Sequence, residues 1–248
     1  YFDLGEYKKA EPLYKQALEI NKKILGIEHP STAIYINNLG LLYKVLGKYE
    51  KAEPLYIQAL EIDKKFLGLE HPSTAISINN LGMLYFDLGE YKKAEPLYMQ
   101  ALEINKKFLG LEHPSTARSI NNLGSLYFDL GEYEKAEPLF KQSIEINKKV
   151  LGIEHPYTTI PINNLGSLYE ELGEYKKAEP LYKQAIEINK KVLGLENTST
   201  AISINNLGSL YNTLGEYKKA EPLYKQALEI DKKFLGLEHP STARSINN

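Results

Sequence analysis

Apolar side chains recur at intervals of three and four residues along the chain, which predicts helices rather than strands. In residues 31–68, taken as a specimen, one helix face carries apolar or small residues at i, i+3, i+4 and i+7: Ile36, Leu39, Gly40 and Tyr43. We call this predicted element helix A. Gly47 is expected to end it, because glycine readily takes the left-handed conformation found just past a helix.

A second helix, helix B, is predicted after a short turn. Its apolar residues are again spaced by threes and fours: Ala52, Leu55, Tyr56, Ala59, Leu60, Ile62, Phe66 and Leu67. We expect helix B to start near Glu50 or Lys51, so that the N–H that Pro54 lacks is among the four that a helix start leaves unpaired. Gly68 closes the helix, and the hydroxyls of Ser73 and Thr74 are expected to cap the next helix A.

The same pattern returns at a fixed interval. The tripeptide Glu-Pro-Leu recurs every 42 residues, at Pro12, Pro54, Pro96, Pro138, Pro180 and Pro222. Such a period predicts one helical pair stacked on copies of itself, each copy burying a face that no single pair could bury alone. We therefore expect an all-α fold, a single solenoid of antiparallel helix pairs. Its predicted units are a partial repeat 1–29, repeats 30–71, 72–113, 114–155, 156–197 and 198–239, and a partial repeat 240–248.

Both chain ends fall inside a repeat. Residues 1–7 match residues 85–91, the end of a helix A, and residues 241–248 match residues 115–122, its beginning. We expect the chain to be a fragment of a longer protein, or its uncapped ends to associate with one another.

Composition removes several classes of function. The 30 basic and 32 acidic residues give a net charge of −2, which does not suit a surface that follows nucleic acid. There is no cysteine, so disulfides, thiolate metal sites and cysteine nucleophiles are excluded, and no apolar run is long enough to span a membrane. We expect a cytoplasmic protein without a cofactor.

The packing positions resemble those of the tetratricopeptide repeat (TPR). The residues that carry the resemblance are Leu39, Gly40, Tyr43, Gly47, Tyr49, Ala52, Tyr56 and Ala59. The long 42-residue form, with its Asn-Asn-Leu and Ala-Glu-Pro-Leu-Tyr strings, is similar to the repeats of kinesin light chains and related prokaryotic proteins. The resemblance implies a right-handed superhelix in which helix A lines a concave groove for extended peptides. The acidic residues of this chain mean that the acidic-peptide ligands of kinesin light chains cannot be carried over.

Helix A presents a candidate partner-binding face. On a helical wheel, Ile34, Asn37, Leu41, Lys44 and Val45 point away from the predicted core. One of these positions is asparagine in every repeat: Asn37, Asn79, Asn121, Asn163 and Asn205. These amides can bond to a peptide backbone. The alternative is that they bond to the neighbouring helix; for the second asparagine of each pair, such as Asn38, we favour that structural role.

Positions that differ between repeats cluster on the same face. Position 34 and its equivalents are Ile34, Ile76, Arg118, Ile160, Ile202 and Arg244. Phe86 and Phe128 stand beside Asp87 and Asp129, which suggests aromatic anchors flanked by charge. The alternative is a tolerant solvent surface. The predicted partner contacts are therefore Phe86, Phe128, Arg118, Asp87 and Asp129, together with the five asparagines.

Two further features lead to specific expectations. His29, His71, His113, His155 and His239 occur once per repeat, too far apart to share a metal ion, and are expected to be loop residues. Pro161 falls inside helix A of its repeat, where a proline removes a backbone hydrogen bond, so we expect a late helix start or a kink.

Three classes of function follow from this pattern. The first is a non-catalytic scaffold that binds an extended segment of a protein partner. The alternative is a sensor or regulatory array within a larger protein, for example beside a nucleotide-hydrolysing domain. An enzyme is disfavoured because no nucleophile, base and orienting group stand outside the periodic pattern.

Overall fold

The computed structural model describes residues 7–195, 197–236 and 242, with Lys8 described for its backbone alone. This part of the chain contains eleven α-helices and no strand. They are α1 (Tyr7–Leu25), α2 (Pro30–Val45), α3 (Tyr49–Phe66), α4 (Pro72–Asp87), α5 (Tyr91–Leu109), α6 (Pro114–Asp129), α7 (Tyr133–Leu151), α8 (Pro156–Glu171), α9 (Tyr175–Leu193), α10 (Thr198–Thr213) and α11 (Tyr217–Phe234). Even-numbered helices are the predicted helices A, and odd-numbered helices are helices B. The expectations for both chain ends, Arg244 and His239 lie outside the described residues.

The chain forms two compact units, Tyr1–Leu126 and Tyr127–Asn248. In the first unit α2 packs on α3 and α4 on α5, and the two helices A, α2 and α4, also touch. In the second unit the same relations join α8 to α9, α10 to α11, and α8 to α10. The predicted all-α architecture of packed helix pairs is confirmed.

Each unit has a core built from the predicted position 36 and from position 42, which the predicted face of helix A does not include. Ile36, Leu42, Ile78 and Leu84 are fully buried in the first unit, and Ile162, Leu168, Ile204 and Leu210 in the second. The glycine of four helices A allows a tyrosine of the following helix B to approach: for example, a Cβ added to Gly40 would lie 2.9 Å from Tyr56 Cε1, and one added to Gly166 would lie 2.6 Å from Tyr182 Cε1. Glycine at these positions is therefore a packing requirement.

Helix ends agree with the pattern, but the reason given for the proline of helix B is wrong. Gly47 and Gly68 take the expected positive φ, +68° and +89°. Helix α3 begins at Tyr49, earlier than predicted, so Pro54 is its sixth residue and lies beyond the first four N–H groups. The helix continues past this proline without the hydrogen bond that an N–H there would make to the carbonyl of Glu50.

The caps of helices A also differ from expectation. The loop histidine, not Ser or Thr, caps the helix: Nδ1 of His29, His71 and His113 accepts a hydrogen bond from the backbone N–H two residues later, at 3.1 Å in each case. Asn197 does the same with its side-chain oxygen at 2.8 Å. The threonine has another role, since Thr74 Oγ1 donates to the carbonyl of Gly68 at 2.7 Å and so ties the loop to the helix start.

Pro161 does not delay its helix. Helix α8 begins at Pro156, at the same repeat position as α4 and α6, so the expected late start is wrong. The carbonyl of Tyr157, which residue 161 would normally pair with, accepts a hydrogen bond from Asn147 Nδ2 at 3.1 Å. A side chain from helix B thus satisfies the acceptor that the proline leaves unpaired.

Hydrogen bonds between repeats explain the glutamate of the Glu-Pro-Leu tripeptide. In four helices A, the tyrosine near the helix end donates its hydroxyl to this glutamate on the preceding helix B: Tyr43 to Glu11 at 3.1 Å, Tyr85 to Glu53 at 2.8 Å, Tyr169 to Glu137 at 2.7 Å and Tyr211 to Glu179 at 2.8 Å. The recurring tripeptide therefore marks a contact between successive repeats as well as a helix start.

Candidate partner-binding face

In each unit the helices A expose a stripe of side chains, and we call these stripes the A face. It is formed by position 34, which is exposed, and by positions 38 and 41, which are half-buried, with their equivalents. In the first unit the A face comprises Ile34, Asn38, Leu41, Ile76, Asn80, Met83, Arg118, Asn122 and Ser125, and in the second Ile160, Asn164, Ser167, Ile202, Asn206 and Ser209. The aliphatic members are well exposed, Ile34 at 58%, Ile160 at 53% and Ile202 at 53%.

The first asparagine of each pair is less accessible than predicted. Asn37, Asn79, Asn121 and Asn163 are buried, and only Asn205 is half-buried, so the expectation that this position points away from the packed interior is wrong for four of the five. The reason is that successive helices A lie side by side. Asn37 Nδ2 donates to Ser77 Oγ on the next helix A at 2.8 Å, and Asn163 Nδ2 donates to Ser203 Oγ at 2.8 Å.

In four of the five pairs, the second asparagine is the more accessible one. Asn80 Nδ2 donates to Asn37 Oδ1 at 3.3 Å, and Asn122 Nδ2 donates to Asn79 Oδ1 at 2.8 Å. These side chains are half-buried, at the rim of the seam between helices A. The sequence held a signal for them, because position 38 lies four residues after position 34 and three before position 41, on one helix face. From the sequence we favour a structural role for these side chains, and the bonds that Asn80 and Asn122 make to the preceding helix A agree with it.

The seam continues inward through a buried polar network. Ser77 Oγ donates to Asp63 Oδ2 on helix α3 at 2.5 Å, while Asn105 and Asn189, at the equivalent position, donate to Ser119 and Ser203 at 2.9 and 3.2 Å. Asp63 is only 3% exposed. Burial raises the pKa of Asp63, and the hydrogen bond from Ser77 opposes that shift.

The two predicted aromatic anchors are packed against tyrosines. The Phe86 ring lies 5.7 Å from the Tyr91 ring and 6.4 Å from the Tyr98 ring, and the Phe128 ring lies 5.7 Å from the Tyr133 ring. Both phenylalanines are half-buried. Each ring therefore packs against at least one tyrosine of the following helix B, which leaves less of it free to contact a partner.

The predicted charged contacts occupy different environments. Asp87 accepts a hydrogen bond from Lys44 Nζ at 2.6 Å, joining α2 to α4. Arg118 and Asp129 are exposed. Asp87 is therefore already held by a basic group of the neighbouring repeat, whereas the Arg118 side chain extends from the A face into solvent.

A carboxylate takes the equivalent position of Lys44 in the second unit. Glu170 is half-buried at the seam between α8 and α10 and accepts hydrogen bonds from Tyr182 Oη at 2.9 Å, Ser209 Oγ at 3.2 Å and Thr213 Oγ1 at 3.4 Å. Burial raises the pKa of Glu170, and the three hydroxyl donors partly offset this.

The described residues offer no site for a metal ion, since no group of three or more His, Asp or Glu side chains converges among them. Nor does any helix in the described ranges combine the length and apolar character of a membrane span.

Comparison with known proteins places these repeats in a family. The tetratricopeptide repeat profile matches residues 1–65, 36–107, 73–149, 115–191 and 199–248. No curated protein sequence gives a significant match.

Solved structures share the same fold. A kinesin light chain with nearly identical TPR-like repeats from Podosopora anserina is 31% identical, with a TM-score of 0.63 over 83% of this chain and 97% of that one. BtubC from P. vanneervenii is 23% identical, with a TM-score of 0.68 over 96% of this chain and 92% of that one. NprR in complex with its cognate peptide NprX is 16% identical, with a TM-score of 0.73 over 94% of this chain and 65% of that one. The chain belongs to the tetratricopeptide repeat family, and its repeats resemble those of kinesin light chains.

Proposed function

We propose that this chain is a non-catalytic protein-interaction scaffold and that its A face binds an extended segment of a partner protein. The observation that carries the proposal is the composition of the A face. In each unit, exposed isoleucines alternate with half-buried amides along the helices A. These residues are Ile34, Asn38, Ile76 and Asn80 in the first unit, and Ile160, Asn164, Ile202 and Asn206 in the second.

This combination suits an extended peptide. An extended chain offers unpaired backbone N–H and C=O groups at regular intervals, and carboxamides can both donate to and accept from them. The isoleucines supply apolar area, which favours burial of a partner's side chains. The buried asparagines take an indirect part, because Asn37 and Asn79 accept hydrogen bonds from Asn80 and Asn122 and so orient those side chains at the rim.

The comparisons support the proposal at the level of fold. NprR, which shares this fold, was solved in complex with a peptide. We extend the proposal to Asn205, Arg118 and Asp129, which have accessible side chains. Partner contacts by four other residues remain predictions. Asn121 is buried, Phe86 and Phe128 pack against tyrosines, and Asp87 is already paired with Lys44, so each side chain is less available to a partner.

The proposal is tested by affinity capture from a lysate, followed by chemical cross-linking and mass spectrometry of what is captured. The test proteins carry Ile34→Asp with Ile76→Asp, or Ile160→Asp with Ile202→Asp. Each isoleucine is 44% to 58% exposed, so folding should be retained, which circular dichroism checks. A matched control is Met99→Asp, a 53% exposed apolar residue on helix B rather than on helix A.

We expect at least one pair of A-face substitutions to lower partner recovery by about tenfold or more, equivalent to about 1.4 kcal/mol of binding free energy. The control should recover partners as the unmodified chain does, and cross-links should map to helices A. If both A-face variants capture the same partners in the same amounts, the A face is not the binding surface.

A further inference from the structure

Glu170 is a charged group without a countercharge. Within the described part of the chain, no lysine or arginine pairs with it, and its three hydrogen-bond donors are all neutral hydroxyls, from Tyr182, Ser209 and Thr213. The adjacent Glu171 adds to the negative charge. Between α2 and α4 of the first unit, the residue at the position of Glu170 is Lys44, and its charge is neutralised by an ion pair with Asp87.

A second, independent feature lies on the same seam two turns earlier. Asn163 is 7% exposed, and its Oδ1 has no hydrogen-bond partner. The same atom of Asn37 and Asn79 accepts from the second asparagine of the next helix A. In the second unit Asn206 stands at that donor position without closing the bond, so a buried acceptor is left unpaired beside a half-buried amide on the A face.

We propose that the α8–α10 seam binds a basic side chain, lysine or arginine, of the partner's extended segment, with Glu170 as its counter-ion and the Asn206 amide bonding to the segment's backbone. This inference rests on the function proposed above and narrows its ligand class. Glu170 is held in place by three donors, so little side-chain entropy is lost when a cation arrives. Partial burial strengthens the attraction relative to an exposed ion pair.

The A face also predicts a second residue of the partner segment, an aliphatic one that would contact Ile160. Ile160 lies on the same helix as Glu170, ten residues earlier, which corresponds to about 15 Å along the helix axis. An extended segment covers that distance in about four to five residues. A segment lying along α8 would therefore carry an aliphatic residue four or five positions from the lysine or arginine.

The experiment is selection of a random nine-residue peptide library, displayed on phage, against the immobilised full chain and its variants. Glu170→Gln removes the charge and keeps the shape. Glu170→Phe places there the residue that Phe86 and Phe128 provide in other repeats, so it should fold even if Gln does not. Glu187→Gln, on the exposed face of helix α9, is the matched control for loss of one negative charge. Selected peptides are then synthesised with lysine replaced by norleucine, and their affinities are measured by fluorescence anisotropy.

The unmodified chain and Glu187→Gln should enrich peptides with a lysine or arginine at one position, and replacing that lysine by norleucine should weaken binding at least fivefold. Both Glu170 variants should lose this preference, and for them the norleucine peptide should bind as well as the lysine peptide.

The inference is overturned if the enriched peptides show no basic preference, or if the preference survives in both Glu170 variants. In that case binding that is still lost in Ile160→Asp with Ile202→Asp would leave the scaffold function standing. If the unmodified chain enriches no peptide at all, both the inference and the proposed peptide-binding function fail.

Discussion

The buried position 63 of helix B carries a carboxyl group in some repeats, at Asp63 and Asp231, and an amide in others, such as Asn105 and Asn189. The equivalent residues Asn105 and Asn189 are neutral and donate to a serine, whereas Asp63 accepts from Ser77. Burial raises the pKa of Asp63 above its unfolded value, so its contribution to stability is fully present below the unfolded pKa and is lost as the pH rises through the folded pKa. At neutral pH, which is above the unfolded pKa, this raised pKa makes the buried Asp63 carboxyl group destabilising.

We predict that Asp63→Asn raises the free energy of unfolding at pH 7 by about 1–2 kcal/mol, because a neutral amide avoids the cost of burying a charge. The gain should shrink as the pH falls toward the unfolded pKa of about 4, because protonation then removes the charge from Asp63. Urea titrations at pH 7 and pH 4 measure this. Asn105→Asp is the reverse control and should lower the free energy of unfolding at pH 7. If Asp63→Asn and the unmodified chain are equally stable at pH 7, burying the Asp63 carboxylate does not destabilise the fold.

At the scale of one element, the start of each helix A depends on the cap from its loop. His71 Nδ1 accepts from the N–H of Ser73, and Asn197 performs the same function in its own repeat. We predict that His71→Ala lowers the free energy of unfolding by about 1 kcal/mol, the usual cost of a lost cap. His71→Asn should cost much less, because asparagine is the natural replacement at this position. Thermal unfolding followed by circular dichroism measures both, and equal losses for Ala and Asn would argue against capping.

Adjacent elements are joined by the tyrosine–glutamate bond between repeats. Tyr169→Phe removes the bond from Tyr169 to Glu137, between α8 and α7, and should lower the free energy of unfolding by about 0.5–1.5 kcal/mol. Lys141 and then Tyr169 hold the pKa of Glu137 below its usual range. That contribution is present above the unfolded pKa and is lost as the pH falls through the folded pKa, so the difference between the variant and the unmodified chain should narrow in acid.

Urea unfolding at pH 7 and at acid pH checks this expectation, with Tyr175→Phe as the control for a half-buried tyrosine on the neighbouring helix B. A cost that is the same for Tyr169→Phe and Tyr175→Phe would mean that the hydroxyl bond to Glu137 adds nothing.

Helices were predictable because their signals are local. The spacing of Ile36 and Leu39 and the glycine at position 47 depend on nearby residues alone, and all three behave as predicted. Asn37 was misjudged because its environment depends on how closely the next helix A approaches, which a single helical wheel does not contain. The packing of Phe86 could not be predicted for the same reason, since the rings that cover it belong to helix B.

For the molecule as a whole, exposed apolar side chains are not confined to the A face. In the first unit the ends of helices B carry Phe66 at 49% and Phe108 at 50% exposure, followed in the loops by Leu69 at 48% and Leu111 at 55%. Lysines partly cover the rings, with Lys65 Nζ 5.0 Å from the Phe66 ring centroid and Lys107 Nζ 5.5 Å from that of Phe108. Such a patch favours association at high concentration.

We predict that Phe66→Ser combined with Phe108→Ser weakens concentration-dependent association of the chain, measured by sedimentation velocity. The free energy of unfolding should fall by less than about 1 kcal/mol per site, because half of each side chain is already in water. The pair Ile34→Asp and Ile76→Asp provides a comparison on the A face. Unchanged sedimentation of the Phe66 and Phe108 variant would show that this patch takes no part in association.

The alternation of aspartate and asparagine in the buried network also bears on how such an array can change over generations. Codons for these two residues differ by one nucleotide, so a single base change converts Asn105 into the chemistry of Asp63 or the reverse. The substituted position lies on helix B, beneath the seam, and leaves the exposed isoleucines of the A face untouched. One repeat can therefore acquire a different pH response while its neighbours and the partner-facing surface keep their sequence.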